Sequence, residues 1–209
     1  FRSGRARVHV RQLLEAAIDL ALLILEPGAQ ARFVFAAQAA FQAGCGTSPA
    51  IRALGEKLAA ASTLPRIAWH EGDLRSDLTG EQHDLVTLAY VLDELAPKDR
   101  DTLVDRLWSL TRHALLIVEP GTTAGWQRIL AARTQLIANG AHILAPCAHA
   151  LACPIAQPDW CHFSARLARS RVHRLAKEAE VPWEDEKFIY LAATRAPART
   201  PSARACVCM

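Results

Sequence analysis

Two short apolar runs constrain the fold of this 209-residue chain more than any other feature. One follows Asp84 and occupies residues 85–90, with Thr87 as its one polar residue, and the other is the unbroken aliphatic series at residues 114–118. Continuous apolar runs of this length are typical of strands that are buried on both faces of a sheet. Between them, Pro97 opens a segment with leucines at helical spacing, which predicts a helix. Strand, helix and strand in this order predict an α/β fold with a mainly parallel sheet.

The same patterns predict further elements along the chain. Ser48 before Pro49 is typical of a helix start, and residues 67–69 are a strand candidate. A long helix is predicted from Thr123 to a C-terminal cap at Gly140, with a strand over residues 142–145. The last third predicts a basic helix over residues 164–178 and a closing strand over residues 188–194.

These elements divide the chain into four parts. Residues 1–47 show no recognisable pattern, and we interpret them as a divergent or damaged N-terminal segment. The proposed core covers residues 48–145. Residues 146–195 hold the cysteine loop, the basic helix and the closing strand, and residues 196–209 form a disordered tail.

Composition narrows the class of protein. The chain is 51% hydrophobic and 22% charged, as expected of a globular protein without a membrane span. Its formal charge of +3 is too small to indicate a nucleic-acid partner by itself. Because no export signal is evident, the six cysteines favour metal binding over disulfides.

Three cysteines form the strongest chemical motif in the sequence. Cys147, Cys153 and Cys161 follow a C-x5-C-x7-C spacing, and Pro154 and Pro158 prevent a helix or strand between them. Thiolates bind soft metals, so the loop is a candidate metal site. An iron–sulfur cluster, a zinc site and unligated thiols all remain open, and spacing alone slightly favours zinc. The zinc site would be completed by His149 or His162.

Polar residues that follow strands are candidate ligand contacts. Ligands of open α/β sheets bind at the carboxyl ends of the strands. Asp73, which follows Gly72, can accept a hydrogen bond from an adenine amino group, although Gly-Asp is also a common turn. Tyr90 begins the segment after the next strand, residues 90–94. Asp93 and Glu94 in that segment could bind substrate, although solvated acids at a helix start are the favoured interpretation.

Basic residues gather in the last third of the chain. On the predicted basic helix they would form either a solvated face or a surface for RNA phosphates. The set comprises Arg166, Arg169, Arg171, Arg174 and Lys177.

Several motifs together indicate a family. They are YVLDEL at residues 90–95, LIVEPGT at 116–122, APC at 145–147, DWCHF at 159–163, RSRVHR at 169–174 and EDEKF at 184–188. On these stretches the chain resembles the methyltransferase-like proteins of the small ribosomal subunit, found in mitochondria and in bacterial relatives. The resemblance covers residues 48–195.

The resemblance implies a fold, two cofactors and a role. The fold is the Rossmann-like class I methyltransferase fold, here incomplete at the N-terminus, with a C-terminal cysteine-rich metal-binding loop. It implies S-adenosylmethionine binding at Gly72, Asp73 and Tyr90. It also implies a 4Fe–4S cluster, for which the flanking DWCHF motif favours iron over zinc. Its ligands would be Cys147, Cys153, Cys161 and a fourth cysteine, for which this chain offers Cys206 or Cys208, and we assign Cys206.

The implied role is assembly of the small ribosomal subunit for translation, through contacts with its rRNA and proteins. Residues 26–47 lack the glycine-rich loop of the family, so we expect a relict S-adenosylmethionine site. An active S-adenosylmethionine-dependent RNA methyltransferase and a zinc-binding RNA module are the alternatives. The location would be the cytoplasm of a bacterium or, in a eukaryote, the mitochondrial matrix.

Overall fold

The computed structural model describes residues 33–37, 80–169, 171–176, 178 and 180–197. Within these residues, six strands form one sheet and three helices connect strands of that sheet. In chain order the elements are β1 Phe33–Ala37, β2 His83–Ala89, α1 Pro97–Ser109, β3 Thr111–Pro120, α2 Thr123–Ala138, β4 His142–Ala145, β5 Phe163–Ala168, α3 Arg171–Ala176 and β6 Trp183–Thr194. A single 3-10 turn, Leu92–Glu94, follows β2.

The sheet has a parallel half and an antiparallel half. Its strand order is β1-β2-β3-β6-β4, and β1, β2 and β3 run parallel. β6 is antiparallel to β3, β4 and β5. Five of the six described strands therefore point in one direction, as the prediction of a mainly parallel sheet requires, but the reversed β6 makes three of the five strand pairs antiparallel. The antiparallel pairs all involve β6, which lies between β3 and β4 and also pairs with β5, and the apolar run that predicts β6 carries no information on the direction of the strand.

The two longer helices cover one face of the sheet, as their apolar spacing predicts. Residues of α1 and α2 pack against buried residues of β2, β3 and β6 in a single cluster. Burying one such side chain contributes roughly 1.5–3 kcal/mol. The cluster includes Leu103, Leu107, Trp108, Trp126, Ile129 and Leu136 from the helices and Leu88, Leu115, Ile117 and Leu191 from the strands.

Local signals set the ends of these helices. Pro97 occupies the first turn of α1, where a missing N–H costs nothing. The Thr122 hydroxyl accepts a hydrogen bond from the Gly125 N–H at 3.0 Å and caps α2. After α2, Gly140 has a φ of +79°, the left-handed conformation predicted for a C-terminal cap. None of the helices that the structure describes has the length and apolar character needed to cross a membrane.

The predicted basic helix over residues 164–178 is wrong in its first part. Residues up to Ala168 form β5, and α3 begins only at Arg171. Leu167 is buried between the exposed Arg166 and Ala168, which is the two-residue period of a strand. β5 pairs with the first half of β6, which begins at Trp183 instead of Phe188.

The N-terminal segment contributes a strand that the sequence analysis did not predict. β1 lies within residues 1–47 and pairs in parallel with β2, with Phe33 opposite Leu85. The predicted helix start at Ser48, the strand at residues 67–69 and the tail beyond residue 197 lie outside the described residues.

Candidate functional site

The carboxyl ends of β2 and β3 form a rim at one edge of the sheet. Tyr90 follows β2, and its backbone N–H donates to the Val118 carbonyl of β3 at 2.9 Å. Its φ of 58° lies in the left-handed region, which is uncommon for an aromatic residue. Strained backbone of this kind concentrates at ligand sites. Tyr90 is therefore the one predicted cofactor contact that the structure describes, because Gly72 and Asp73 lie outside the described residues.

The Tyr90 side chain lies on the sheet face opposite α1 and α2. It packs with Phe188 and Tyr190 against a cluster of Leu85, Leu116 and Val118. Burial, with smaller contributions from the negative charges of Glu186 and Glu119, raises the pKa of Tyr90 to about 12. The phenol is thus held neutral at physiological pH.

A buried carboxylate fixes the turn that follows Tyr90. The Glu119 side chain is 0% exposed. Its Oε1 accepts a hydrogen bond from the Leu92 backbone N–H at 3.2 Å, and its Oε2 accepts one from Arg128 Nε at 2.7 Å. Burial raises the pKa of Glu119, while the bonds from Arg128 and Leu92 act in the opposite direction. The end of β3 is thereby tied to both the turn and α2.

Arg128 extends this network to a second acid. Its Nη1 lies 2.8 Å from Asp93 Oδ1, and the arginine side chain is only 9% exposed. Asp93 itself is 54% exposed but is charge-paired. From the sequence, Asp93 is interpreted as a solvated acid without a chemical role, and Arg128 belongs to no predicted site. A signal was present, because Arg128 lies between Trp126 and Ile129 on the buried stripe of α2.

Gly121 joins the rim to β6 and to the loop that contains the three cysteines. Its N–H donates to the Lys187 carbonyl at 3.0 Å, and its carbonyl accepts from Trp160 Nε1 at 3.1 Å. A Cβ at this position would lie 2.6 Å from the Phe188 nitrogen, which is closer than atoms can approach. Only glycine therefore allows β6 to approach the end of β3 this closely.

The cysteine loop, residues 146–162, packs on the core through its second half. Cys161 is buried, whereas Cys147 and Cys153 are half-buried, and all three are thiols that form no disulfide. Cys153 and Trp160 pack against the main core cluster. Three thiols suit a soft metal or an iron–sulfur cluster by their chemistry.

The donor arrangement does not by itself define a metal centre. In the described parts of the chain, no three His, Cys, Asp or Glu side chains form a group that could hold a metal ion. The Nδ1 of His149 accepts from the Leu151 N–H at 3.1 Å, and His162 stacks on Trp160. The proposed fourth ligand, Cys206, lies outside the described residues.

The predicted RNA-binding residues do not share one face. Arg166 forms two hydrogen bonds with Asp185, at 2.7 and 2.9 Å, and Arg169 Nε lies 3.3 Å from Glu184. Arg171 is exposed on α3, and Arg174 is half-buried. Lys177 lies outside the described residues. Two of the five cations are therefore paired with acids of β6.

Two sequence comparisons identify relatives of this chain. Residues 34–208 match the family described as mitochondrial small ribosomal subunit Rsm22. A segment of 94 residues is 38% identical to the human ribosome assembly protein METTL17, mitochondrial. It covers 40% of this chain and 20% of that protein, so the chain spans about a fifth of the length of this relative.

The structural comparison is weaker. Two structures of magnesium protoporphyrin IX methyltransferase (ChlM) from Synechocystis PCC 6803 each align with 91% of this chain, at a TM-score of 0.49. One has SAM bound, with 15% identity and 81% of that chain covered; the other has SAH bound, with 14% identity and 85% covered. Similarity at this level does not establish a shared fold.

Proposed function

This chain belongs to the Rsm22 family of mitochondrial small ribosomal subunit proteins, and from that premise we propose that it is a methyltransferase-like factor in assembly of the small ribosomal subunit. The observation that carries the proposal is the extent of the family match. Residues 34–208 include nearly all of β1, the rim, the cysteine loop and β6. The factor would support translation by binding small-subunit rRNA and proteins, in the mitochondrial matrix of a eukaryote or in bacterial cytoplasm.

Association with the small subunit is the direct test. The purified chain is expected to co-sediment with small ribosomal subunits and to dissociate as salt is raised, because contacts with phosphates release counterions. Arg171→Glu should weaken this association more than Arg169→Gln, since Arg169 is already paired with Glu184. Absence of co-sedimentation at low salt would exclude the proposed role.

We infer that the rim acts as a relict cofactor site and serves binding instead of catalysis. Methyl transfer depends on alignment of a nucleophile with the methyl group, and a polar group at the rim would have to be available for that task. Asp93 is instead held by Arg128 at 2.8 Å, and Glu119 is fully buried. Together with the missing glycine-rich loop, this supports a Rossmann-like methyltransferase fold that is used as a scaffold.

An active S-adenosylmethionine-dependent RNA methyltransferase is the second candidate. The strained backbone of Tyr90, at the carboxyl end of β2, favours it because such strain is typical of ligand sites. Calorimetric titration with S-adenosylmethionine separates the candidates. If the wild type binds S-adenosylmethionine saturably at micromolar concentration and Tyr90→Ala abolishes this binding, the active enzyme is favoured. If the wild type does not bind S-adenosylmethionine, the relict site is favoured.

We further propose that the cysteine loop holds a 4Fe–4S cluster through Cys147, Cys153, Cys161 and Cys206. The support is the chemistry of three thiols on a loop whose end is packed on the core. Bound there, the cluster would supply a covalent cross-link between the loop and the C-terminal segment. Anaerobic purification followed by iron and sulfide analysis tests this assignment. A colourless protein with one zinc per chain would replace it with the zinc alternative.

A further inference from the structure

The strands β5 and β6 form a two-stranded ribbon that extends beyond the rim. Pro120, the last residue of β3, lies opposite Phe188. Residues 183–187 of β6 therefore run past the end of β3 and pair only with β5 within the described sheet. The ribbon projects from the same edge of the sheet at which Tyr90 and Gly121 lie.

One face of this ribbon is exposed along its whole length. Side chains alternate between the two faces of a strand, and residues directly opposite one another share a face. Arg166 lies opposite Asp185, and Trp183 is two residues further along the same face of β6. All six residues of this outer face are exposed: Ser164, Arg166, Ala168, Trp183, Asp185 and Lys187.

An aromatic ring and a fixed guanidinium lie together on the outer face. Trp183 is 43% exposed, which is unusual for the largest apolar side chain. The Arg166 guanidinium carbon lies 5.5 Å from the centroid of its ring. The bidentate bonds to Asp185 hold that guanidinium in place. Asp185 thus positions Arg166 and is itself neutralised.

Two exposed acids, Glu178 and Glu180, lie in the segment before Trp183, whereas the outer face itself carries two cations and one acid, Asp185, which is paired with Arg166. Lys187 is exposed on the outer face, and Arg171 is exposed on α3, which follows β5 directly. In the part of the chain that the structure describes, neither forms an ion pair. The acids Glu184 and Glu186 belong to the opposite face of the ribbon, by strand alternation. The outer face therefore combines a flat aromatic surface with cations.

We propose that the outer face of the ribbon binds single-stranded RNA, with Trp183 as the stacking platform for one unpaired base. Every base has a π-face that an indole ring can stack on, and nearby cations contact the phosphates. Arg166 adds a second planar group beside the ring. This inference rests on the proposed role of rRNA as a partner and names the residue that would contact it.

A protein partner is the competing occupant. Val181 and Leu175, 47% and 70% exposed, lie in the segment that joins β5 to β6 and could add apolar contact area. RNA is favoured because a guanidinium is held over the ring and Lys187 adds a second cation to the outer face, whereas cores of protein interfaces are depleted in lysine. Val181→Ala therefore provides a matched control, an exposed apolar side chain at the same end of the ribbon.

The test measures fluorescence anisotropy with labelled single-stranded RNA of about twelve nucleotides and with protein-free small-subunit rRNA. Trp183→Ala is expected to weaken binding of both about 5- to 100-fold, and Trp183→Phe to retain part of the affinity. The salt dependence of binding should not change in Trp183→Ala, because no charge is lost, whereas Arg171→Glu should reduce it. Val181→Ala should bind as the wild type does.

Two outcomes overturn the inference and leave the assembly role standing. One is unchanged RNA affinity in a Trp183→Ala protein whose circular dichroism matches the wild type. The other is a Trp183→Ala protein that binds protein-free rRNA normally but co-sediments poorly with small subunits, which would identify a protein partner. A wild-type chain that fails to co-sediment with small subunits contradicts the assembly role instead.

Discussion

The rim and the ribbon each contain an arginine–carboxylate pair with the same nitrogen–oxygen distance, but the pair in the rim is buried and the pair in the ribbon is exposed. Arg128 Nε lies 2.7 Å from Glu119 with side chains 9% and 0% exposed. Arg166 Nε lies 2.7 Å from Asp185 with side chains 65% and 47% exposed. The two Nε–oxygen distances are equal, although Arg166 binds Asp185 through two nitrogens and Arg128 divides its nitrogens between Glu119 and Asp93. The larger difference between the pairs is their burial. A buried charge that loses its partner is costly, whereas an exposed one returns to water.

The difference indicates what each pair does. In the rim, the pair joins β3, α2 and the turn after β2 into one rigid unit. In the ribbon, the pair orients a guanidinium over Trp183 on an exposed surface. The Arg128–Glu119 pair therefore stabilises the fold, and the Arg166–Asp185 pair orients a side chain on the surface that we propose binds RNA.

The largest effect is expected from breaking the buried pair. Arg128→Met would leave Glu119 buried without its counter-charge and should lower the free energy of unfolding by about 3–5 kcal/mol. Urea denaturation followed by circular dichroism measures this change. The double variant Glu119→Gln with Arg128→Met is the control, and it should recover part of the loss because no buried charge remains. A loss below about 1 kcal/mol, typical of an exposed pair, would show that the contrast with the ribbon is wrong.

A smaller effect is expected at the joint between the two regions. Gly121→Ala would place a Cβ 2.6 Å from the Phe188 nitrogen, so the backbones of β3 and β6 must move apart. We expect a loss of about 1–3 kcal/mol in the free energy of unfolding. Gly140→Ala is the control, since nothing lies within 4 Å of its Cβ and only the positive φ is strained. Equal losses in the two variants would mean that the close contact at Gly121 is unimportant.

The rim also predicts a pH dependence. The chain has two tyrosines, so Tyr190→Phe leaves Tyr90 as the only one. Its tyrosinate absorbance should rise near pH 12 instead of near the ordinary value of 10.0. Because the folded pKa is raised, the unfolded chain loses this proton first, and stability should fall as the pH rises from 10 towards 12. A spectroscopic titration centred at pH 10 in the folded protein would contradict the burial of this phenol.

The smallest effect on stability is expected from the exposed pair. Arg166→Ala should leave the urea midpoint at neutral pH unchanged within error, because both charges are solvated. Hydrogen bonds from Arg166 lower the pKa of Asp185 below its ordinary value of 3.8. Any stabilisation is therefore present above that value and lost as the pH falls through the folded pKa. A clear drop of the midpoint at pH 7 would show that the ribbon pair is structural as well.

Elements with strong local signals could be predicted from the sequence. The start of α1 at Pro97, the stripe of Leu103 and Leu107, and the cap at Gly140 were all confirmed. The buried strands β2 and β3 also lie where continuous apolar runs predict them. The family was confirmed as well, because its motifs are contiguous in the chain and need no folding to be read.

Features that depend on distant pairing could not be predicted. β5 was assigned to a basic helix because Arg166, Arg169 and Arg171 occur at spacings that a helix also allows. That segment forms a strand because it pairs with the first half of β6, which has no other strand beside it in the described sheet. Likewise, Glu119 and Arg128 meet because α2 folds back along β3, so the sequence spacing alone gave no reason to pair them.

The amino-acid sequence alone determined the α/β class, the start of α1, both ends of α2 and the family, since each depends on neighbouring residues and their hydrophobic period. Tertiary structure alone decided that half of the sheet is antiparallel, that Asp93 is bound to Arg128, and that Arg166 lies over Trp183. These contacts join residues far apart in the chain. Burial and solvent exposure, which set their energies, exist only once the chain has packed.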